Sequence, residues 1–437
     1  MAAGRSRQQG AARERLLKVT LLLAGVPAPR RSLSFPRCRG VSQQEQANGK
    51  KRKNQLSRGR EPEKRHSAAM SGVKKQKKEV KEVLVGSYTP KNIMVTGGAG
   101  FIASHVVIQL VKQFPEYKVV CFDKLDYCSS LKNLNEVKDC PNFKFIKGNL
   151  LSADLIKYVL ETECIDTIIH AAAQTHVDNS FGNSFAFTEN NVMGSHVLVE
   201  AAKVHGIKRF IHVSTDEVYG TVGDDIRRVE TDVLEPTNPY AATKAAAENI
   251  VKSYYHSFKL PVIITRGNNV FGPHQFPEKV IPKFVRRLLG GMPCCIHGDG
   301  SNSRHYIYVG DVAAAFMTIL HKGVDGETYN IGCETEFTNL EVAQRLVKAL
   351  KPDCSDPKEH ISFVGDRAFN DVRYYISSDK LHQLGWAPKM SFEEGLQKTI
   401  DWYAKVSPDW WEIGTDSALA PHPELKSKVS DALQTKL

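Results

Sequence analysis

Two short groups of residues in this 437-residue sequence could act on a hydroxyl-bearing substrate. In the first, Tyr240 and Lys244 are four residues apart, so a helix would place both side chains on one face. An ammonium beside a phenol stabilises the phenolate, which lowers the tyrosine pKa from about 10 and makes it a usable base. Because Tyr255 and Lys259 share this spacing, the spacing alone predicts no function. The position of Tyr240 after a turn, at the start of a helix, distinguishes it.

The second group, Thr215, Asp216 and Glu217, directly follows a predicted strand. The carboxyl ends of strands line the ligand crevice of an open parallel sheet. Adjacent carboxylates in different surroundings can have different pKa values, so that one serves as an acid and the other as a base. The alternative is a solvated turn with an acidic helix cap.

A glycine-rich loop at 96–103 connects the first predicted strand to the first helix, and it contains Gly97 and Gly100. Such a loop lets backbone amides approach a pyrophosphate at the N-terminus of the helix. Asp123 ends the next predicted strand, where a carboxylate accepts hydrogen bonds from a ribose hydroxyl and repels a 2′-phosphate. These features predict bound NAD, although the neighbouring Lys124 weakens the argument against NADP.

Strands and helices alternate from Lys91 onward, which predicts an α/β fold with a Rossmann-type, doubly wound parallel sheet. Strands are predicted at 92–96, 118–122, 144–146, 167–170, 209–213 and 261–265, and helices at 102–113, 155–160, 191–204 and 241–255. After Asn269 the pattern is more irregular and includes several prolines.

We therefore predict four segments. Residues 1–90 form a basic, disordered extension, and residues 91–268 form the NAD-binding domain. Residues 269–405 form mainly a smaller C-terminal substrate-binding lobe, with some return to the first domain, and residues 406–437 form a polar tail.

The basic charge lies in the N-terminal extension. The whole chain has a net charge of +11, but residues 1–69 hold 17 of its 59 basic residues and only 4 of its 48 acidic ones. The remainder is close to neutral, so we predict no nucleic-acid partner for the core. No apolar run is long enough to span a bilayer. The nine cysteines show no zinc or disulfide spacing, so we predict no metal site and a cytoplasmic protein.

Two features of the extension leave alternatives open. The apolar stretch 16–26 is flanked by arginines and could be a targeting segment. Met70 could be the working start, because every recognisable motif follows it.

The motifs resemble those of a known superfamily. The stretch 96–102 together with Tyr240 and Lys244 is similar to the extended short-chain dehydrogenases/reductases. The stretches 123–125, 172–178, 214–220 and 273–282 more closely resemble the dTDP-glucose 4,6-dehydratase family, and the similarity runs from about Lys91 to Tyr403. Related epimerases lack the acidic pair, so Asp216 and Glu217 carry the specific signal.

The resemblance implies a reaction and a role for each residue. Tyr240 takes the C4-hydroxyl proton as hydride passes to NAD, Lys244 keeps Tyr240 ionised and holds the nicotinamide ribose, and Thr215 hydrogen-bonds the sugar. Glu217 removes the C5 proton and Asp216 protonates the departing C6 hydroxyl. Hydride then returns to C6, which gives a 4-keto-6-deoxy sugar nucleotide.

The resemblance also implies binding residues and a homodimer. The cofactor would contact Gly97, Gly100, Phe101, Ile102, Asp123, Asn149, Tyr240 and Lys244. The nucleotide-sugar substrate would contact Thr215, Asn269, Lys279 and Arg304, with weaker matches at Asn339 and at Asp366 and Arg367.

Three other functions stay open at this stage. A UDP-glucose 4,6-dehydratase would share the catalytic groups and differ in its base pocket. A non-catalytic NAD-binding scaffold would not need the five catalytic residues. A protein that binds nucleic acid through its basic extension would depend on residues 1–69. A 4-epimerase has no use for Asp216 or Glu217.

Overall fold

The computed structural model describes residues 86–223, 226–366, 370–407, 409–412 and 414–422. The predictions for residues 1–85, for the apolar stretch 16–26, for Arg367 and for the tail beyond 422 lie outside these residues.

A seven-stranded sheet organises the fold, and every neighbouring pair in it is parallel. Its strand order is β10-β6-β5-β4-β1-β2-β3. The strands are β1 (Asn92–Thr96), β2 (Lys118–Asp123), β3 (Phe143–Lys147), β4 (Thr167–His170), β5 (Arg209–Thr215), β6 (Val262–Gly267) and β10 (Thr328–Ile331). The predicted doubly wound parallel sheet is confirmed.

The sheet changes direction between β1 and β4, because β2 and β3 lie on one side of β1 and the later strands lie on the other. Thr96 at the end of β1 pairs with Phe122 of β2 and with His170 of β4. β4 is buried along its whole length, and β1 is buried at all but its first residue, as apolar strands in the centre of a parallel sheet must be. Ligands bind outside the carboxyl ends of strands at such a reversal.

Helices cover both faces of this sheet. Phe101–Gln113 and Val309–Lys322 pack on one face through residues such as Val107 and Phe316. The other face is covered by Ala153–Thr162, Gly194–His205 and Pro239–Phe258.

The predicted helix at 191–204 is only partly right. A π-helical turn, Thr188–Met193, precedes the α-helix Gly194–His205, and two short helices, Val177–Gly182 and Ser184–Phe187, lie before it.

The chain after Asn269 is more regular than its prolines suggested. It adds β7 (Asn269–Phe271), β8 (Cys294–His297), β9 (Ser303–Tyr308), β11 (Glu336–Thr338) and β12 (Ile361–Val364). It also contains the helices Val280–Leu289, Asn339–Leu350, Asp379–Gln383, Phe392–Lys405 and Asp416–Leu419. Pro282 lies in the first turn of its helix, where a missing N–H breaks no intrahelical bond.

These later elements form small sheets around their own apolar cluster. β7 and β11 flank β9, β8 pairs with β12, and the cluster includes Phe284, Leu346 and Leu396. β10 instead joins the edge of the main sheet. The domain limits at 268 and 405 stay a prediction. Among the described residues, no helix combines the length and apolar character that crossing a bilayer requires.

Candidate active site

Two adjoining cavities open along the carboxyl ends of the main strands. The first, of about 290 Å³, contains Asp216 and Glu217. The second, of about 230 Å³, contains Lys244 and the glycine-rich loop. Tyr240 lines both cavities, so it lies between the acidic pair in the first cavity and Lys244 in the second.

Every residue predicted to contact the cofactor lines the second cavity: Gly97, Gly100, Phe101, Ile102, Asp123, Asn149, Tyr240 and Lys244. Gly97 has φ +68°, and a Cβ atom there would lie 2.7 Å from Cα of Ala172 on the neighbouring strand end. A Cβ on Gly100 would meet only the carbonyl oxygen of Gly97, at 3.1 Å. The loop therefore passes close to β4 and leaves backbone open to the cavity, as a pyrophosphate cradle requires.

The carboxylate of Asp123 is held in place at the end of β2. It accepts hydrogen bonds from the backbone N–H of Ala99 (3.1 Å) and of Leu125 (2.7 Å). Lys124, which weakened the argument for NAD, donates to Asn190 and pairs with Asp126, each at 2.8 Å. Its charge is therefore compensated, while Asp123 remains at the cavity wall with further acceptor capacity.

Asn149 is an exposed residue that also lines this cavity. Its side-chain oxygen accepts the N–H of Leu151 at 3.1 Å, which fixes the amide with its nitrogen pointing away from that turn.

Asp216 begins the 3₁₀ turn Asp216–Tyr219 directly after β5 and is only 3 % exposed. Asn268 donates to one of its oxygens (2.8 Å), and Thr215 donates to the other (3.2 Å). Burial raises its pKa to about 7; the hydrogen bond from Asn268 opposes this shift, and the Glu217 carboxylate adds to it. A carboxyl group with this pKa can donate a proton at neutral pH.

Glu217 faces the same cavity and has a different partner. Asn238 donates to its carboxylate at 3.0 Å. Burial raises the pKa of Glu217, and the bond from Asn238 and the charges of Lys279 and Arg304 oppose the shift. Each of the two adjacent carboxylates is therefore held by its own asparagine amide.

Tyr240 and Lys244 lie on the helix Pro239–Phe258, as predicted, and both are at least 93 % buried. The expected lowering of the tyrosine pKa is wrong for this structure. Burial raises the pKa of Tyr240, and the carboxylates of Glu217 and Asp216 add to the increase, while a hydrogen bond with Thr215 opposes it. Lys244 donates to the carbonyl of Val213 at 2.6 Å, and burial lowers its pKa to about 8.

The predicted substrate residues Asn269, Lys279 and Arg304 all line the first cavity with Thr215. Arg304 packs over the ring of Tyr374 (4.7 Å) and donates to the backbone carbonyls of Ser303 (2.7 Å), Val372 (3.1 Å) and Asp371 (2.9 Å). It forms no salt bridge within the described part of the chain. Its charge is thus available to an anion in the cavity. Lys279 donates to the carbonyl of Thr175 at 2.7 Å.

Sequence reasoning missed three polar residues of the site, Asn268, Asn238 and Asp371, and all three are at least 95 % buried. Asn238 had a signal, because asparagine before proline is typical of a helix start, and its Oδ1 does accept the N–H of Ala241 at 2.8 Å. Asn339 lines the first cavity, whereas Asp366 is not among its lining residues.

The site combines a phenol between two cavities, a carboxyl group whose pKa burial raises to about 7, a second carboxyl group and two cationic side chains. Such a set can move protons to and from adjacent carbons of a bound anion.

Comparison with known proteins identifies similar sequences and structures. The family model described as GDP-mannose 4,6 dehydratase matches residues 94–399. Over 344 residues the chain is 56 % identical to a trifunctional UDP-glucose 4,6-dehydratase/3,5-epimerase/reductase of Arabidopsis thaliana, covering 78 % of this chain and 51 % of that protein. Over 340 residues it is 49 % identical to the dTDP-D-glucose 4,6-dehydratase of Mus musculus, covering 77 % and 95 %.

Among solved structures, the dTDP-glucose 4,6-dehydratase of Bacillus anthracis in complex with NAD matches with a TM-score of 0.68 and 38 % identity, covering 74 % of this chain and 99 % of that one. The chain spans about half the length of the Arabidopsis relatives that it matches.

Proposed function

Starting from the premise that this chain belongs to the GDP-mannose 4,6 dehydratase family, we propose that it dehydrates a nucleoside-diphosphate glucose to the 4-keto-6-deoxy sugar nucleotide with NAD as cofactor. The observation that carries the proposal is the pair Asp216 and Glu217 in one cavity with Tyr240, each carboxylate held by a separate asparagine. An oxidoreductase or epimerase needs Tyr240 and Lys244 but has no task for two further acids.

The second cavity fits a dinucleotide. The close approach of Gly97 to β4 and the bare backbone at Gly100 leave space for a pyrophosphate beside Phe101 and Ile102, and Asp123 accepts ribose hydroxyls. Asn149 offers its amide to the adenine end of the cavity. When bound, NAD supplies the acceptor for the C4 hydride and the donor of that hydride to C6.

Oxidation at C4 depends on the residues shared by the two cavities. Tyr240 takes the proton of the C4 hydroxyl as the phenolate, a form that the positive charges of Lys244 and of the nicotinamide ring would stabilise against the burial and the carboxylates that raise its pKa. Thr215, which hydrogen-bonds Tyr240, orients that hydroxyl. Lys244 is fixed by Val213 on the cofactor side, where it holds the nicotinamide ribose and supplies positive charge near the phenol.

Elimination depends on the two carboxyl groups. A 4-keto group acidifies the C5 proton, and Glu217 removes it as the general base. Asp216, with its pKa of about 7, protonates the C6 hydroxyl, so that water leaves. Lys279 and Arg304 hold the diphosphate, and Asn269 hydrogen-bonds the sugar.

The substrate is dTDP-glucose in our leading proposal. UDP-glucose is the second candidate, favoured by the 56 % identity to the Arabidopsis relative. The test incubates the purified full chain with dTDP-glucose, UDP-glucose and GDP-mannose and measures 4-keto-6-deoxy product. Product from dTDP-glucose at the highest kcat/KM supports the leading proposal, and absence of product from all three overturns the activity.

Glu217→Gln separates the two half-reactions. We expect the variant to oxidise C4, seen as reduced-cofactor absorbance, but to stop exchange of the C5 hydrogen with solvent. Glu393→Gln is the matched control, because its side chain is 64 % exposed and lies on a surface helix. Normal turnover by Glu217→Gln would show that another group is the C5 base.

The protein acts as a homodimer in this proposal. The neighbouring segments Ser184–His205 and Pro239–Phe258 carry three large apolar side chains that are at least half exposed, namely Phe185, Met193 and Phe258. Light scattering of the purified chain tests the dimer. The cytoplasmic location stays a prediction.

A further inference from the structure

Asp371 lies beside the catalytic carboxylates without taking part in the proposed chemistry. It lines the first cavity, is 5 % exposed, and forms no salt bridge within the described ranges. A carboxylate this deeply buried is costly unless its neighbours compensate it, so its hydrogen bonds define its role.

The side chain of Asp371 holds the turn that precedes Tyr240. One oxygen accepts the hydroxyl of Thr237 (2.6 Å) and the other accepts the amide of Asn238 (3.3 Å). Because Oδ1 of Asn238 accepts the N–H of Ala241 at the helix start, this amide cannot flip. Its two N–H groups must therefore point at the two carboxylates, those of Asp371 and Glu217.

The backbone of the same residue anchors the cation of the cavity. The carbonyl of Asp371 accepts from Nη2 of Arg304 (2.9 Å) and from Nδ2 of Asn302 (3.1 Å). Asp371 thus contacts Arg304, which is assigned to the diphosphate, through its carbonyl. Through its side chain and Asn238 it is connected to Glu217, which is assigned to C5.

We propose that Asp371 is a positioning residue for elimination. Its carboxylate fixes Asn238, and Asn238 in turn fixes Glu217. Because the carbonyl of Asp371 holds Arg304, Glu217 and Arg304 are positioned relative to each other. This inference rests on the proposed function. It links a base in the turn after β5 to a phosphate ligand on β9, although β5 and β9 belong to different sheets.

Asp371→Asn tests the inference, because it puts an NH₂ group beside the amide of Asn238 and leaves the carbonyl that holds Arg304 unchanged. We expect kcat for product formation to fall about 10- to 100-fold, the range expected when a general base is misplaced by a fraction of an ångström to about 1 Å. C4 oxidation and the KM for substrate should stay within about twofold of wild type, because the Tyr240 pair and Arg304 keep their contacts.

A pH profile provides a readout that a merely structural role would not move. The charged and titratable groups around Glu217 are Asp216 on its own turn, Tyr240 on the following helix, Lys279 and Arg304 across the cavity, and Tyr374 and Asp371 beside it. The carboxylate of Asp371 raises the pKa of Glu217. Asp371→Asn removes that charge but also releases Asn238, whose hydrogen bond lowers the pKa of Glu217 by more than the charge of Asp371 raises it. The acid limb of C5-hydrogen exchange should therefore move to higher pH, whereas loss of the charge alone would move it to lower pH.

Two variants serve as controls. Asp379→Asn makes the same chemical change at a side chain that is 66 % exposed, and it should leave turnover and the pH limb unchanged. Thr237→Val removes one hydrogen bond but keeps the charge of Asp371, so it should lower kcat only a few-fold and should not move the limb.

The outcomes separate the two proposals. Inactivity of the wild-type protein on all three nucleotide sugars would overturn the proposed function and this inference with it. Wild-type activity with equal turnover by Asp371→Asn and Asp379→Asn would overturn this inference alone. So would an equal loss of C4 oxidation and dehydration in Asp371→Asn, because it would indicate general damage to the site.

Discussion

Replacing Asn268 by alanine should move the pH range over which elimination occurs. Asn268 donates to the Asp216 carboxylate at 2.8 Å, and this bond stabilises the ionised form. Its removal disfavours ionisation, so the pKa of Asp216, about 7 in the wild type, must rise further. Since Asp216 acts in its protonated form, the basic limb of the elimination rate should shift to higher pH.

The size of the shift follows from the strength of the bond. A hydrogen bond to a charged group contributes about 1.5–3 kcal/mol, and about 1.4 kcal/mol corresponds to one pKa unit. Water that enters the space left by Asn268 would restore part of the lost stabilisation of the carboxylate. We therefore expect the pKa of Asp216 to rise by about one unit, from about 7 to about 8. At pH 8 the protonated fraction would then increase about fivefold, from roughly one-tenth to one-half.

The assay is single-turnover release of 4-keto-6-deoxy product between pH 6 and about 9.5, with each variant normalised to its own plateau. C4 oxidation in the same samples is an internal control for the titration of Lys244, whose pKa burial lowers to about 8. Because the variant leaves the hydrogen bond from Lys244 to the Val213 carbonyl unchanged, the pH dependence of C4 oxidation should not move. Asn92→Ala, which removes a side-chain bond to Cys164 far from the cavities, controls for the substitution itself. A limb at the wild-type pH or below it would refute the assignment of Asp216 as the acid.

Two further predictions concern binding and stability. Gly97→Ala should weaken NAD binding by at least tenfold in calorimetry, because the new Cβ would lie 2.7 Å from Cα of Ala172. Gly206→Ala is the control, because Gly206 also has a positive φ but a Cβ there would meet no atom within 4 Å. This variant should bind NAD normally and lose only about 1 kcal/mol of stability. Arg266→Met should lower the free energy of unfolding by about 3–5 kcal/mol, because it leaves the fully buried Glu248 without its 2.7 Å partner. Arg345→Met, at an exposed pair with Glu393, should cost less than about 1 kcal/mol. Equal melting temperatures for the two arginine variants would contradict the stability argument, and unchanged NAD affinity of Gly97→Ala would contradict the cradle.

The sheet was predictable because its signals are local. The predicted bounds of the strands at 92–96 and 167–170 agree with the structure, since short apolar runs between turn residues leave little choice. The shared i,i+4 spacing could not by itself separate Tyr240 from Tyr255. The structure separates them, because Lys259 has φ +59° and caps the end of the helix, whereas Lys244 is buried in its interior.

The residues that hold the catalytic carboxylates were less accessible to sequence reasoning. Asn268 follows β6 at the strand end next to β5, a position that favours a role in the crevice, but asparagine is also common in turns. Asp371 gave no signal, because it meets Asn238 across 133 residues of chain. The raised pKa of Tyr240 also depends on such contacts, since burial and the carboxylates of Glu217 and Asp216 raise it and only the hydrogen bond with Thr215 opposes them.

The electrostatics of the cavity order the proposed half-reactions. An ionised Asp216 would oppose formation of the Tyr240 phenolate and could not protonate the leaving hydroxyl, so the raised pKa of Asp216 favours both steps. Glu217 has the opposite requirement, because its charge opposes the phenolate but is needed to remove the C5 proton. The conflict ends once Tyr240 has accepted the C4-hydroxyl proton, since a neutral phenol no longer repels the carboxylate. Oxidation therefore creates the acidic C5 hydrogen and removes the phenolate charge that disfavours an ionised Glu217.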